Sequence, residues 1–245
     1  MTAKKPTIWL LNDRKLSRNS WWFKLGIPAT LNFPEYFALE AKENKTPREV
    51  ELRKSISNKI IETIHLYRNH QMFPSDILPH TMYADFQIMY AAIPREKLAL
   101  LPPLFMISDG YIMIAQPLLA VLHNFRLGST QIVPVKLRDK TTNELLSEHT
   151  YYFINVCERH SYLSLEKSDP SLRKLPTKDR ILYHPPSDKA TANKFIFSEK
   201  ALDCPVDIWH DPLILNSIFF SDALCMTIYK ANLNKGFYLF PCNLI

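Results

Sequence analysis

The apolar positions Leu52, Ile56, Ile60, Ile64 and Tyr67 recur three or four residues apart, the period of one face of an α-helix. Just ahead of them, Thr46-Pro47-Arg48-Glu49 supplies an N-cap hydroxyl, a proline in the first turn and a glutamate three residues after the cap, which is a capping box. The pattern predicts a helix from Pro47 to about Asn69, with Arg53, Lys54, Lys59 and Glu62 on its solvated side. Elsewhere the apolar runs are shorter and read as strands, at residues 7–11, 151–156 and 195–197, with a brief one at 181–183. Residues 12–34 read as irregular, 138–149 as a polar turn, and the Pro-, Lys-, Ser- and Asp-rich stretch 168–193 as a long surface loop. Pro102-Pro103 favours extended backbone and stops helices. It marks a boundary between residues 1–101, with a basic, aromatic start and the long helix, and residues 102–245; the two parts form separate domains or one continuous domain.

One pattern occurs twice. The segment IMIAQPLLAVLHNFRLGSTQIVPVKL at residues 112–137 returns in altered form as IFFSDALCMTIYKANLNKGFYLFPCNL at residues 218–244. Each copy has an apolar run, a polar or proline opening, an amphipathic stretch, a Leu and then a Gly, and a second apolar run closed by Pro-x-x-Leu. In the first copy this predicts a strand over Tyr111 to Ala115, a helix from Pro117 to about Phe125 buried through Leu118, Leu119, Leu122 and Phe125, a stop at Gly128 and a strand over Gln131 to Leu137. In the second it predicts a strand over Ile218 to Phe220, a cap at Ser221 or Asp222, a buried face of Leu224, Ile228 and Ala231, and a final strand over Phe237 to Phe240. Two divergent strand-helix-strand units imply an α+β fold, a mixed or antiparallel sheet with packed helices.

Composition narrows the class without naming a reaction. With 245 residues, 47% of them apolar and 22% charged, the chain has the make-up of a folded globular protein rather than a disordered one. Only 4 glycines stand against 18 prolines, and neither GxGxxG nor GxxxxGK[ST] occurs, so the common phosphate-cradling loops are missing. Cys157, Cys204, Cys225 and Cys242 are widely spaced and form no CxxC pair, which favours reduced, packed thiols. The run Ile8-Trp9-Leu10-Leu11 is too short for a signal-peptide core, and no stretch reaches the roughly 18 apolar residues of a membrane helix. A cytoplasmic location is the expectation, with no membrane partner.

The net charge of +6 is unevenly placed. Lys4, Lys5, Arg14, Lys15, Arg18 and Lys24 face only Asp13 in the first 24 residues, a stretch that also holds Trp9, Trp21 and Trp22. Three readings of this segment stand: tryptophans in a core with charges on the surface, anchors of a protein interface, or a stacking surface for single-stranded nucleic acid.

Reactive constellations do not assemble in the sequence. Ser108-Asp109-Gly110 lacks the GxSxG elbow, and His65 and His70 are five apart, on different faces of the predicted helix. Asp203, Asp207, His210 and Asp211 are dense, but Pro205 and Pro212 break any helix that would align them; solvated loop acids, with Asp207 or Asp211 capping turns, are the expectation. No catalytic, cofactor-binding or metal-binding residues are therefore assigned, and no cofactor is implied.

The stretch Leu104 to Leu137, with its apolar strand, helix and Leu127-Gly128 turn, is followed by YYFINV at 151–156, SLEKS at 164–168, SDAL at 221–224 and the closing KGFYLFP at 235–241. In these segments, which span most of residues 102–245, the chain resembles immunity protein family eleven of bacterial polymorphic toxin systems. The resemblance implies a cytoplasmic, non-enzymatic protein that binds the C-terminal domain of a cognate toxin and neutralises it by occlusion or distortion of its active site. Arg14, Arg18, Trp21 and Trp22, then Lys174 and Arg180 in the polar loop, are the first choices for partner-binding residues. A basic protein fits an acidic face on the toxin. The alternative is a nucleic-acid-binding accessory protein that uses the basic, Trp-rich N-terminus.

Overall fold

A computed structural model describes residues 5–11, 23–26, 33–84, 101–139 and 142–245. In chain order the elements are β1 (Trp9–Leu11), β2 (Phe23–Gly26), α1 (Phe33–Ala41), α2 (Pro47–Arg68), β3 (Thr81–Ala84), β4 (Leu104–Met106), β5 (Ile112–Ala115), α3 (Gln116–Leu122), β6 (Gln131–Asp139) and β7 (Leu145–Asn155). They continue with β8 (Lys174–Pro176), β9 (Ile181–Tyr183), α4 (Lys189–Ala192), β10 (Ile196–Phe197), β11 (Ile208–Trp209), β12 (Phe219–Phe220), α5 (Asp222–Lys230), β13 (Leu239–Pro241) and β14 (Asn243–Leu244). Helices and mixed or antiparallel sheets together make the α+β class that the patterning implied.

Two compact units divide the chain, and neither is continuous in sequence. One comprises Met1–Asn19, Pro117–Thr130 and Val156–Ile245; the other comprises Ser20–Gln116 and Gln131–Asn155. The division does not follow the Pro102-Pro103 boundary.

In the second unit, α2 is closed by its capping box. Thr46 Oγ1 accepts from the Glu49 N–H at 3.4 Å, and Glu49 Oε2 accepts from the Thr46 N–H at 2.8 Å. Hydrogen bonds from Lys42 and then from Thr46 hold the Glu49 carboxyl down at about 2. The apolar face of α2 is only partly used: Ile60, Ile64 and Tyr67 pack on the sheet core and Ile56 is buried, whereas Leu52 is 42% exposed. Only the C-terminal half of α2 lies on that core, which leaves the first two turns in solvent. Helix α1 falls largely beyond the stretch 12–34 that reads as irregular.

The sheet beneath α2 has the order β2-β3-β6-β7-β5-β4, with β3 parallel to β6 and every other pair antiparallel. Val133, Val135 and Leu137 alternate inward along β6 and meet Tyr151 and Phe153 of β7, Met113 of β5 and Phe105 of β4. Strand β6 runs on to Asp139 and β7 begins at Leu145, so seven of the twelve residues of the expected turn 138–149 lie in strands, with Arg138 opposite Leu145. Its polar side chains hid the pairing because strand ends that face water need no apolar residue.

In the first unit the order is β11-β12-β1-β13, all antiparallel. Ile8 and Leu10 point into a core with Phe195, Phe197, Trp209 and Phe219. Trp9 takes the opposite face, where its Nε1–H donates to Asp222 Oδ1 at 2.8 Å and its ring lies 5.8 Å from that of Tyr229.

Both copies of the repeated segment build a strand, a helix and a strand, and both do so in the same split manner. Strands β5 and β6 flank β7, each antiparallel to it; β12 and β13 flank β1, each antiparallel to it. The repeat glycines Gly128 and Gly236 both have positive φ, 56° and 89°. Several details differ from the sequence pattern. Helix α3 ends at Leu122 rather than Phe125, Ala231 is an exposed C-cap while Cys225 is buried, and the last strand begins at Leu239 although Phe237 is buried. Each shift is at an element end, where a capping turn replaces the last helical or strand residue.

Candidate functional site

Of the six residues singled out for partner binding, Arg14, Arg18, Trp21 and Trp22 lie outside the described residues. Lys174 and Arg180 lie on one hairpin, which replaces the middle of the loop expected at 168–193. Strand β8 pairs antiparallel with β9 as a separate two-stranded sheet: Lys174 opposite Tyr183, Leu175 opposite Leu182, Pro176 opposite Ile181. The turn between them is tied by the Thr177 N–H donating to the Arg180 carbonyl at 2.9 Å, by the Thr177 hydroxyl donating to the same carbonyl at 2.7 Å, and by the Arg180 N–H donating to Thr177 Oγ1 at 3.2 Å. At the base, Leu172 and Tyr183 are buried in the core of the first unit. Tyr183 donates its N–H to the Leu213 carbonyl at 2.8 Å and accepts from the Leu215 N–H at 2.9 Å.

From Arg173 to Ile181 every residue is exposed. The stretch carries Arg173, Lys174, Lys178 and Arg180 against Asp179 alone, and among the described residues none of these cations forms an ion pair. Leu175 and Ile181 are 36% and 47% exposed on the same arm. The sequence signal for β8 was the Thr-Lys-Asp-Arg turn between two short apolar pairs, Leu175-Pro176 and Ile181-Leu182, and Pro176 masked it by arguing against a strand.

In the acidic cluster Asp203 is exposed as expected, whereas Asp207 and Asp211 are buried rather than solvated. Asp211 is 2% exposed; its Oδ2 accepts from the N–H groups of Tyr162 and Leu163 at 2.9 and 3.0 Å and its Oδ1 from that of Leu213 at 3.0 Å. Burial pushes its carboxyl up, against those three donors. Asp207 is also buried. Desolvation pushes its carboxyl up, but hydrogen bonds from the Arg126 guanidinium, the Ser221 hydroxyl and the Arg126 N–H outweigh it and hold the group below the ordinary value. Arg126 donates to Asp207 Oδ2 from Nε at 3.1 Å and from its own backbone N–H at 2.9 Å. Asp211 caps its own turn through Leu213, as the sequence reading allowed, whereas Asp207 ties the distant Arg126 and Ser221. Among the described residues no group of three or more His, Cys, Asp or Glu side chains is placed to hold a metal ion.

A recess of about 300 Å³ opens beside this pair, lined in part by Thr7, Arg126, Cys204, Asp207, Ser221 and Asp222. Its polar groups are engaged in holding the chain together. Thr7 donates to the Cys242 carbonyl at 2.7 Å, Ser221 Oγ accepts from the Leu224 N–H at 3.2 Å, and Asp222 accepts from Trp9. Burial pushes the Cys204 thiol up, away from the thiolate that nucleophilic chemistry requires. None of the four cysteines forms a disulfide.

The remaining candidates stay apart. His65 is exposed on α2, while His70 lies beyond the helix end with φ of 54°. Ser108-Asp109-Gly110 forms a short 3-10 turn with Asp109 at φ 65°. No described helix is long and apolar enough to cross a membrane. No protein-family model and no curated protein matches this chain.

Proposed function

We propose that this chain is a cytoplasmic immunity protein, not an enzyme, that binds the C-terminal domain of a cognate antibacterial toxin and blocks its active site. The reading is carried by the twice-used strand-helix-strand unit with its family-like segments, Leu127-Gly128 in the first copy, SDAL and KGFYLFP in the second, and YYFINV and SLEKS between them. The use of the polar groups supports it. Asp207, Asp211, Asp222 and Glu158 are spent on capping turns and closing the fold, while the rigid, cation-bearing arm 173–181 is left to solvent. Such a molecule is organised to bind rather than to react, and inhibition by occlusion calls for an interface of roughly 1,200–2,000 Å² with a few central anchors.

The test is genetic and then physical. The protein is co-expressed with the C-terminal domain of a secreted, modular protein encoded by the neighbouring gene, and growth and co-purification are followed. Protection from that domain together with a stable complex is the expected result. Unrelieved toxicity with no complex, or a neighbour that encodes no such domain, overturns the proposal.

A further inference from the structure

The β8–β9 arm is built to be held still and left uncovered. Its base is tied into the core by Leu172 and Tyr183 and its tip by the Thr177–Arg180 hydrogen bonds, so little ordering remains to be done when a partner arrives. Both faces of the arm are open. Leu175 and Leu182 stand opposite each other on one face; Pro176 and Ile181, beside Lys174, stand on the other. An isolated two-stranded ribbon is marginal in water, and exposed aliphatic residues on it add no core.

The free edge narrows what the partner can be. The N–H and C=O of Tyr183 are used by Leu213 and Leu215, so Lys174–Tyr183 and, two residues on, Pro176–Ile181 are the pairs whose backbone groups point away from the partner strand. On β8 that outward edge carries Pro176, which has no N–H to give. Lys and Pro on an edge prevent strand addition, so a partner has to dock on side chains. The side chains offered are aliphatic anchors among four cations and a single acid. Proteins that bind single-stranded nucleic acid use exposed aromatic rings for stacking, and the only aromatic residue of either strand, Tyr183, is buried.

We infer that the arm at residues 173–181 is the specificity element of the binding face and inserts into an acidic cleft of a protein partner, with Leu175 and Ile181 as apolar anchors and Arg173, Lys174, Lys178 and Arg180 paired to carboxylates at the rim. The inference rests on the immunity reading for the identity of the partner, the neighbouring toxin domain. The arm is one part of the interface, since nine residues are too few to bury a full binding area.

Two variants test it, Lys174→Glu/Arg180→Glu for the charges and Leu175→Asp/Ile181→Asp for the anchors, with Arg48→Glu/Lys54→Glu on α2 as a charge-matched control. Unchanged melting temperatures establish that each variant is folded. Binding to the neighbouring toxin domain is measured by surface plasmon resonance at low and high salt. The charge variant is expected to associate at least about tenfold more slowly at low salt and to lose most of its salt dependence, and the anchor variant to dissociate at least about tenfold faster. If the wild-type protein does not bind the toxin domain at all, the immunity reading falls and the arm proposal with it. If the wild type binds and both arm variants match the control, the arm proposal alone is overturned. Arm-dependent binding to a mixed-sequence single-stranded RNA that is tighter than binding to the toxin domain also overturns it, in favour of a nucleic-acid partner.

Discussion

Gly128 shows how much a single position carries. Its φ of 56° is open to glycine at little cost, and a Cβ there would sit 2.2 Å from Glu158 Oε1. That carboxylate cannot simply swing aside, because its Oε1 accepts from the Ser129 N–H at 2.6 Å and its Oε2 lies 3.2 Å from His160 Nε2. The Ser129 N–H, above all, holds the Glu158 carboxyl below its ordinary value. Gly128→Ala is expected to cost about 1–2 kcal/mol, through positive-φ strain and a displaced hydrogen bond, read as a lower urea midpoint with unchanged slope. Glu158→Ala in the same background should recover the steric part and leave the φ part. Gly128 was legible as a stop signal, whereas Glu158 was not, because thirty residues of chain separate the two and only the folded turn brings them together. The same applies to Asp207 and Arg126: each reads as an ordinary surface residue until the fold sets them 3.1 Å apart.

Among the elements, those with a strong local code or an apolar run were legible, while β8 was not. Thr46, Pro47 and Glu49 fixed the start of α2, and its cap makes a pH-dependent contribution. Glu49 is held at about 2 against an ordinary value of 4.5, so its contribution is full above about 4.5 and is lost as the pH falls towards 2. The melting-temperature difference between wild type and Glu49→Gln should therefore be constant from pH 7 to 5 and shrink steadily below that. A difference that holds unchanged down to pH 2.5 would show that the carboxylate does not act through its charge. Strand β9 was expected at 181–183, but β8 has no such code: three residues with a proline form a strand only because β9 lies beside them. Leu52 misled in the opposite sense, since helical period says which face is apolar and not how far along that face the sheet extends.

For the whole molecule, the decisive strand is β1. Its Leu10 and the preceding Ile8 are each 1% exposed, and the strand is the shared neighbour of β12 and β13. Deleting residues 1–11 removes four buried apolar side chains, Ile8, Trp9, Leu10 and Leu11, each worth about 2–5 kcal/mol, a loss comparable to the whole stability of about 5–15 kcal/mol of a domain. The truncated chain is expected to lose cooperative unfolding and near-ultraviolet circular dichroism. Truncation of the N-terminus is thus no test of partner binding, and Ala substitution of Arg14, Arg18, Trp21 and Trp22 is the informative form. The fold class and both strand-helix-strand copies were visible in the sequence; the insertion of β1 between the strands of the second copy was not, since no periodicity reports a neighbour more than 200 residues away.

That insertion also sets an order in time. Strand β1 leaves the ribosome more than 200 residues ahead of its partners at Phe219–Phe220 and Leu239–Pro241. At about 5–20 residues per second, an apolar Ile8-Trp9-Leu10-Leu11 run waits on the order of ten seconds or more before it is covered. Until then its apolar side chains stay open to solvent, so a strand made well ahead of both its neighbours is covered only when the second of them has emerged.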